Sequence, residues 1–242
     1  MAEEITLSVF RGDRSGGREQ EYKIPAMTGM VVLDALHYIQ AHQAPDLAVR
    51  WNCKAAHCGS CSAEINGSAK LLCKTRVDDY ENEVIHVRPM HTFPVIKDLV
   101  TDVSWNYEKL RQIPAFQPAI NAPFTLQQRD VDRLQEFRRC IECFLCQNIC
   151  HVLRDHDAKD AYWGPRMMIR ISELQMHPLD TADRLDLLKG AAGIGYCNIT
   201  KCCTVVCPQG INITENGIIP MKESVADKYF DPLGGLVRKM HK

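Results

Sequence analysis

Twelve cysteines in three tight groups, at 53–73, 140–150 and 197–207, constrain this 242-residue chain more than any other feature. Cysteines that serve packing scatter along a sequence. Cysteines that serve as ligands cluster at short intervals, because several sulfurs must converge on one centre. The amino terminus, Met1-Ala2-Glu3-Glu4, has neither a basic n-region nor an apolar h-region. The expectation is therefore a cytosolic chain whose thiols stay reduced and bind metal, with no disulfide framework.

The first group pairs a C-x4-C-x2-C run, Cys53, Cys58 and Cys61, with Cys73 after eleven intervening residues. That is the plant-type [2Fe–2S] spacing. Gly59 and Ser60 let backbone N–H groups face the cluster sulfurs, which stabilises the added electron. Structural zinc is the alternative, but zinc sites usually pair two C-x2-C knuckles. His57 lies inside the loop and is read as a bystander, since four cysteines already fill the site.

The second and third groups form a degenerate repeat. Cys140, Cys143, Cys146 and Cys150 follow C-x2-C-x2-C-x3-C, the bacterial ferredoxin run, whose fourth cysteine ligates the other cluster in two-cluster proteins. Cys197, Cys203 and Cys207 repeat it, with Thr200 at the place of the missing cysteine and Pro208 after the last. Cys140, Cys143, Cys146 and Cys207 are thus expected to hold a [4Fe–4S] cluster. Cys150, Cys197 and Cys203 hold the other, and three thiolates fit [3Fe–4S]. Cys202 matches no ligand position. It is either a small packed hydrophobe beside the loop or a substitute ligand for the open corner.

Periodicity places these loops in an α+β chain. Ile5, Leu7 and Val9 alternate as in a half-buried strand, a turn spans Arg11 to Arg18, and Glu21 to Ile24 closes a hairpin. Val32, Leu33, Leu36 and Ile39 share one helix face, and Ala63–Ile65 and Val84–Val87 read as short strands. Residues 1–100 thus form a ferredoxin-type domain. Residues 101–124, with Pro114, Pro118 and Pro123, form a connecting segment packed on the surface. Residues 125–242 form a helical domain. Its helices run from a Thr125/Gln128 capping box through Leu134 and Phe137, from Pro165 along Met168, Ile171 and Leu174, over 180–189 to a stop at Gly190, and over 217–229.

Composition excludes several classes. A formal net charge of −1 gives no steering toward nucleic acid. No apolar run is long enough to span a bilayer, so any membrane contact is peripheral. Gly12 to Gly17 lacks the spacing of a dinucleotide fingerprint, and no Ser/His/Asp or paired-carboxylate arrangement can be drawn. The basic tail Arg238-Lys239 with His241-Lys242 reads as solvated, with anionic headgroups as its alternative partner.

With these motifs in place, the chain resembles the iron–sulfur subunit of the succinate dehydrogenase/fumarate reductase family over nearly its whole length. The resemblance is carried by Arg50-Trp51-Asn52-Cys53 through Cys61, Phe93-Pro94-Val95-Ile96-Lys97-Asp98-Leu99-Val100, the run Cys140 to Cys150, Trp163-Gly164-Pro165, and Cys197 to Pro208. It implies a plant-type (β-grasp) ferredoxin domain followed by an all-helical two-cluster domain. It also implies a place in respiratory complex II, linked to the tricarboxylic acid cycle. The implied partners are an FAD-containing flavoprotein subunit nearest the [2Fe–2S] cluster, and a cytochrome b-type membrane anchor with a quinone nearest the [3Fe–4S]. The implied place is peripheral, on the cytoplasmic side of the cell membrane. Two departures stand out. His151 follows Cys150 where many members have Pro and Arg154 and Asp155 stand where tryptophans that help form the family's quinone pocket are expected, and Asn198 stands where some members have His. Quinone binding is therefore expected mainly on the membrane subunit, as in the branch with two haems. The rival readings are an electron-delivery subunit for another flavoenzyme, such as a heterodisulfide-reductase-like or glycolate-oxidising complex, and a binding module with structural metal.

Overall fold

The computed structural model describes residues 4–80, 83–119 and 125–231. The basic carboxy-terminal tail lies outside them, as do Met1 to Glu3 and Pro123. The chain divides into two compact units. One gathers the described residues up to Ser104 together with Ile141–Ile149, and the other holds Trp105–Cys140 and the described residues from Cys150 onward.

The first unit is a mixed sheet crossed by one helix. β1 (Glu4–Asp13) and β2 (Gly16–Pro25) form a hairpin paired along its full length, Glu4 with Pro25 through Asp13 with Gly16. The expected broad turn is thus only Arg14 and Ser15. Charge and glycine hid the pairing, because Gly12 faces Gly17 and a Cβ on Gly17 would meet the Phe10 ring at 2.4 Å. Asp13 Oδ1 accepts from the Ser15 amide at 2.8 Å and closes the turn. α1 (Val32–His42) buries Val32, Leu33, Leu36 and Ile39, the face read from its periodicity. β3 (Ser62–Ile65), β4 (Ser68–Leu71) and β5 (Ile85–Arg88) continue the sheet in the order β4-β3-β5-β1, with β5 parallel to β1. β6 (Val95–Lys97) meets β1 at Asp13 and pairs with β7 (Val100–Thr101). Asp98, buried after β6, ties this edge together. It accepts from Gly12 N at 2.9 Å, Arg11 Nε at 3.1 Å and Ala48 N at 2.9 Å.

In the second unit, α2 (Ser104–Arg111) opens the segment read as a connector. Beyond it, Ala119 N reaches Leu179 O, and Thr181 N reaches Gln117 O. The fully buried Arg184 holds the carbonyls of Pro114 and Ala115 and pairs with Asp180 at 2.9 Å. Pro114 and Pro118 are therefore pinned to the helical unit. α3 (Gln128–Arg138) buries Leu134 and Phe137 as expected, but its cap is Gln127 and no side chain caps it. The Thr125 capping box does not form, because the helix starts too late for Thr125 to reach its free amides.

α4 (Leu145–Ile149) belongs to the first unit and packs against β4. α5 (His151–Arg154) follows in the second. α6 (Pro165–Gln175), with proline in its first turn, buries Met167, Met168, Ile169 and Ile171 and is the centre of the second core. Against it lies a π-helical stretch, Ile213–Ile218, where Gly217 brings its backbone to the Ile169 side chain. α7 (Leu185–Lys189) ends at Gly190, and is shorter than the span 180–189 because Asp180 and Arg184 are spent on the clamp around Pro114 and Ala115. α8 (Cys202–Val205) and α9 (Ile219–Tyr229) complete the unit. Among the described residues no helix is long and apolar enough to cross a membrane.

Candidate metal centres

All twelve cysteines lie within the described residues, as thiols. Their three loops share one backbone device. Non-glycine residues with positive φ are uncommon, yet six sit here: Lys54 and Ala56, Glu142 and Phe144, Ile199 and Lys201, at φ 54 to 63°. A left-handed residue costs about 1–2 kcal/mol when it carries a Cβ, and for β-branched Ile199 it is an outlier. Alternating hand along a loop turns successive N–H groups to one side and makes a concave nest for an anion. Anionic cluster sulfurs fit such nests.

In the first loop the nest already holds sulfur. The amides of Ala55 and His57 donate to Cys53 Sγ at 3.4 and 3.3 Å, and that of Ser60 to Cys58 Sγ at 3.5 Å. Burial opposes charge on Cys58, but the Ser60 hydroxyl and nearby amides outweigh it and bring the thiol down to about 7. Burial pushes its neighbour Cys61 up to about 12. Cys73 follows β4, where the Leu72 amide bonds Cys61 O at 2.9 Å. All four cysteines of this group thus lie in the first unit. Trp51, beside Cys53, stands exposed, with Lys54 Nζ 4.8 Å from its ring and His37 packed edge-on.

Cys143 and Cys146 also lie in the first unit. Their segment is locked to the sheet by the fully buried Asn148, which donates to Glu64 Oε1 at 2.8 Å and accepts from Thr92 N at 3.1 Å. The consequence is close approach of two ligand loops. A Cβ on Gly59 would stand 2.6 Å from Cys143 Cα, so the loop between Cys58 and Cys61 rests directly on the Cys143 backbone. Cys140 follows α3, its amide bonded to Phe137 O, and Cys207 accepts from the Ile211 amide at 3.5 Å; both are in the second unit.

The third group lies entirely in the second unit. Cys150 caps α5 in extended conformation and is buried, as is Cys203 on α8. Burial pushes Cys150 up to about 12 and Cys203 up to about 11. A positive centre such as iron would let such buried thiols ionise. Cys203 Sγ lies 3.4 Å from Thr214 Oγ1 in the π-helical stretch, and Lys222 of α9 holds Cys197 O. Among the described residues no three Cys, His, Asp or Glu side chains gather as they would around one metal ion. A cluster asks for a looser set, since its thiolates bind different irons.

The degenerate repeat extends to backbone conformation. Glu142 and Phe144 flank Cys143 in left-handed conformation, and Ile199 and Lys201 flank Thr200 in the same way. Thr200 thus occupies the geometric place of Cys143. Cys202 falls at the place of Leu145, a core residue that is 1 % exposed. Cys202 Sγ does lie 3.4 Å from Thr200 Oγ1, at the edge of the site.

Sequence reasoning noted His151 only as a departure, without a role, and missed Tyr162 altogether. His151 accepts from Asn198 Nδ2 at 2.7 Å through Nε2, and its Nδ1 faces Thr200 Oγ1 at 3.5 Å. Its place directly after Cys150 was the available signal. Tyr162, before α6, is completely buried near the third group, and no spacing pointed to it.

Comparison with known proteins agrees with these loops. The 2Fe–2S iron–sulfur cluster binding domain family matches residues 6–108, and the 4Fe–4S dicluster domain family matches residues 136–211. The chain is 33 % identical to the fumarate reductase iron–sulfur subunit of Mycobacterium tuberculosis, over 80 % of each chain. It is 28 % identical to the succinate dehydrogenase iron–sulfur subunit of Bacillus subtilis, over 81 % of this chain and 82 % of that one. Its fold matches a chain of the Mycobacterium smegmatis Sdh1 complex in the apo form, with a TM-score of 0.93 and 57 % identity, covering 96 % of this chain and all of that one.

Proposed function

The chain belongs to the family of iron–sulfur subunits of succinate dehydrogenases and fumarate reductases, and on that premise we propose that it passes single electrons between FAD in a flavoprotein subunit and a quinone at a membrane anchor. When bound, each cluster accepts and returns one electron, which divides the two-electron succinate–fumarate conversion into steps that a quinone can complete. Cys53, Cys58, Cys61 and Cys73 hold [2Fe–2S]. Cys140, Cys143, Cys146 and Cys207 hold [4Fe–4S]. Cys150, Cys197 and Cys203 hold [3Fe–4S], with Thr200 at the corner that lacks a thiolate. No substrate-converting residue belongs to this chain.

The contact of Gly59 with the Cys143 backbone carries the reading. It puts the loop of one ligand set against a ligand of the next, as a serial conductor requires and a module with separate structural metals does not. The interlocked repeat extends the series, since Cys150 closes the second cysteine run yet ligates with the third. The exposed apolar residues Tyr196, Ile199 and Val205 lie in and just before the third loop and support an anchor on that side, at the cytoplasmic face of the membrane.

The test is purification of the intact complex with metal analysis. About nine irons per chain are expected, whereas two or three zincs would mean a structural module. Cys53→Ser should abolish succinate-dependent quinone reduction and spare dyes that take electrons at the flavin. An unchanged [2Fe–2S] EPR signal with full quinone activity would remove Cys53 from the ligand set.

A further inference from the structure

Tyr162 lies in the loop before α6, with none of its surface exposed. Among the described residues its hydroxyl has no hydrogen-bond partner. A tyrosine hydroxyl is protonated at neutral pH and can donate. The Cys197 side chain is among the neighbours of that hydroxyl. A buried, unpaired O–H is costly, and phenylalanine would fill the same space without the cost.

The backbone builds this approach. Trp163 N donates to Ala192 O at 3.1 Å, zipping the Tyr162 loop to the one that leads into Cys197. Gly193, at φ +65°, makes the approach possible, since a Cβ there would stand 1.8 Å from Ala161 O. One helical turn later, Ile194–Tyr196, the chain delivers Cys197. A thiol sulfur is a weak acceptor, but a thiolate bound to iron is a charged and much better one. The orphaned O–H therefore has a partner whenever the third ligand set is loaded.

We propose that Tyr162 donates a hydrogen bond to the sulfur shell of the third cluster, through the Cys197 thiolate, and thereby raises that cluster's reduction potential. The inference rests on the ligand assignment above. A donor to sulfur stabilises the reduced, more negative state, so the sign is fixed. Removing it should disfavour reduction about tenfold, equivalent to about 59 mV for a one-electron couple.

The experiment is an anaerobic EPR redox titration of the intact complex, wild type against Tyr162→Phe. The midpoint of the third cluster should fall by about that amount, while the [2Fe–2S] midpoint stays in place. A parallel measurement compares the Fe–S stretching bands in H2O and D2O by resonance Raman. A deuterium shift of the third cluster's bands should be present in the wild type and smaller in the variant. If Tyr162→Phe loses the cluster, the wild-type deuterium shift alone decides, and its absence overturns the proposal. A loaded variant with an unmoved or raised midpoint also overturns it and leaves the ligand assignment standing. A wild type with no third cluster overturns both.

Discussion

Two glycines in the first unit separate conformational cost from crowding. Gly67 has φ +74°, and a Cβ added there would meet nothing within 4 Å, in the tight Asn66-Gly67 turn between β3 and β4. Gly59 has a similar φ of +68°, but its Cβ would lie 2.6 Å from Cys143 Cα and 2.8 Å from Cys143 Cβ and N. Gly67→Ala should therefore cost about 1–2 kcal/mol, the left-handed penalty alone. Gly59→Ala bears that penalty plus about 1–3 kcal/mol of overpacking, because the atoms it meets are backbone or ligand atoms that cannot swing aside. For a chain of this size the two variants should melt a few degrees and roughly 10 °C below wild type, respectively. Because unfolding releases iron irreversibly, the companion assay is the rate of bleaching of the visible cluster absorbance at fixed temperature. Gly59→Ala should also slow quinone reduction relative to dye reduction, as the two ligand loops are pushed apart. Equal thermal losses in both variants, with equal electron flow, would refute the claim that the Gly59–Cys143 contact is a close-packed junction.

Thr200→Cys should supply a fourth thiolate, convert the third cluster to [4Fe–4S] and lower its potential; persistence of the oxidised [3Fe–4S] EPR signal at full intensity would argue against Thr200 as the open corner. Cys202→Ser should leave that signal and its midpoint nearly unchanged, since Cys202 takes the place of a packed leucine in the repeat; appearance of a [3Fe–4S] signal only in the variant would make Cys202 a ligand. Asp98→Ala should destabilise the first unit by about 3 kcal/mol, leaving Arg11 Nε and the amides of Gly12 and Ala48 without their acceptor. Asp98→Asn, which keeps one oxygen, should fall between. A urea midpoint for Asp98→Ala equal to wild type would show that water replaces the carboxylate at no cost.

The departures from the family pattern rearrange one corner rather than dismantle it. His151 stands where many members have proline, and Asn198 where some have histidine, yet the two side chains meet at 2.7 Å beside Thr200. An imidazole thus stands beside Thr200, carried on α5 instead of the cysteine loop. That the two positions face each other is invisible to a single sequence.

The proposed ligand sets could be drawn from the chain alone because a cluster's thiolates come largely from one loop, and convergence over a few residues is a matter of spacing. The offset between Cys140–Cys150 and Cys197–Cys207 placed Thr200 opposite Cys143, and the left-handed residues flanking both positions follow the same offset. The faces of α1, α3 and α6 were likewise set by local apolar periodicity. Tertiary structure decided what no spacing encodes. Asn148, through Glu64 and Thr92, assigns residues 141–149 to the sheet rather than to the helices on either side. Gly59 meets Cys143 only because that segment is docked, and the Tyr162 loop lies against the one leading to Cys197 only because Gly193 lets the two close. Such contacts join residues far apart in sequence, and their energy resides in burial and steric fit that exist only once both partners are in place.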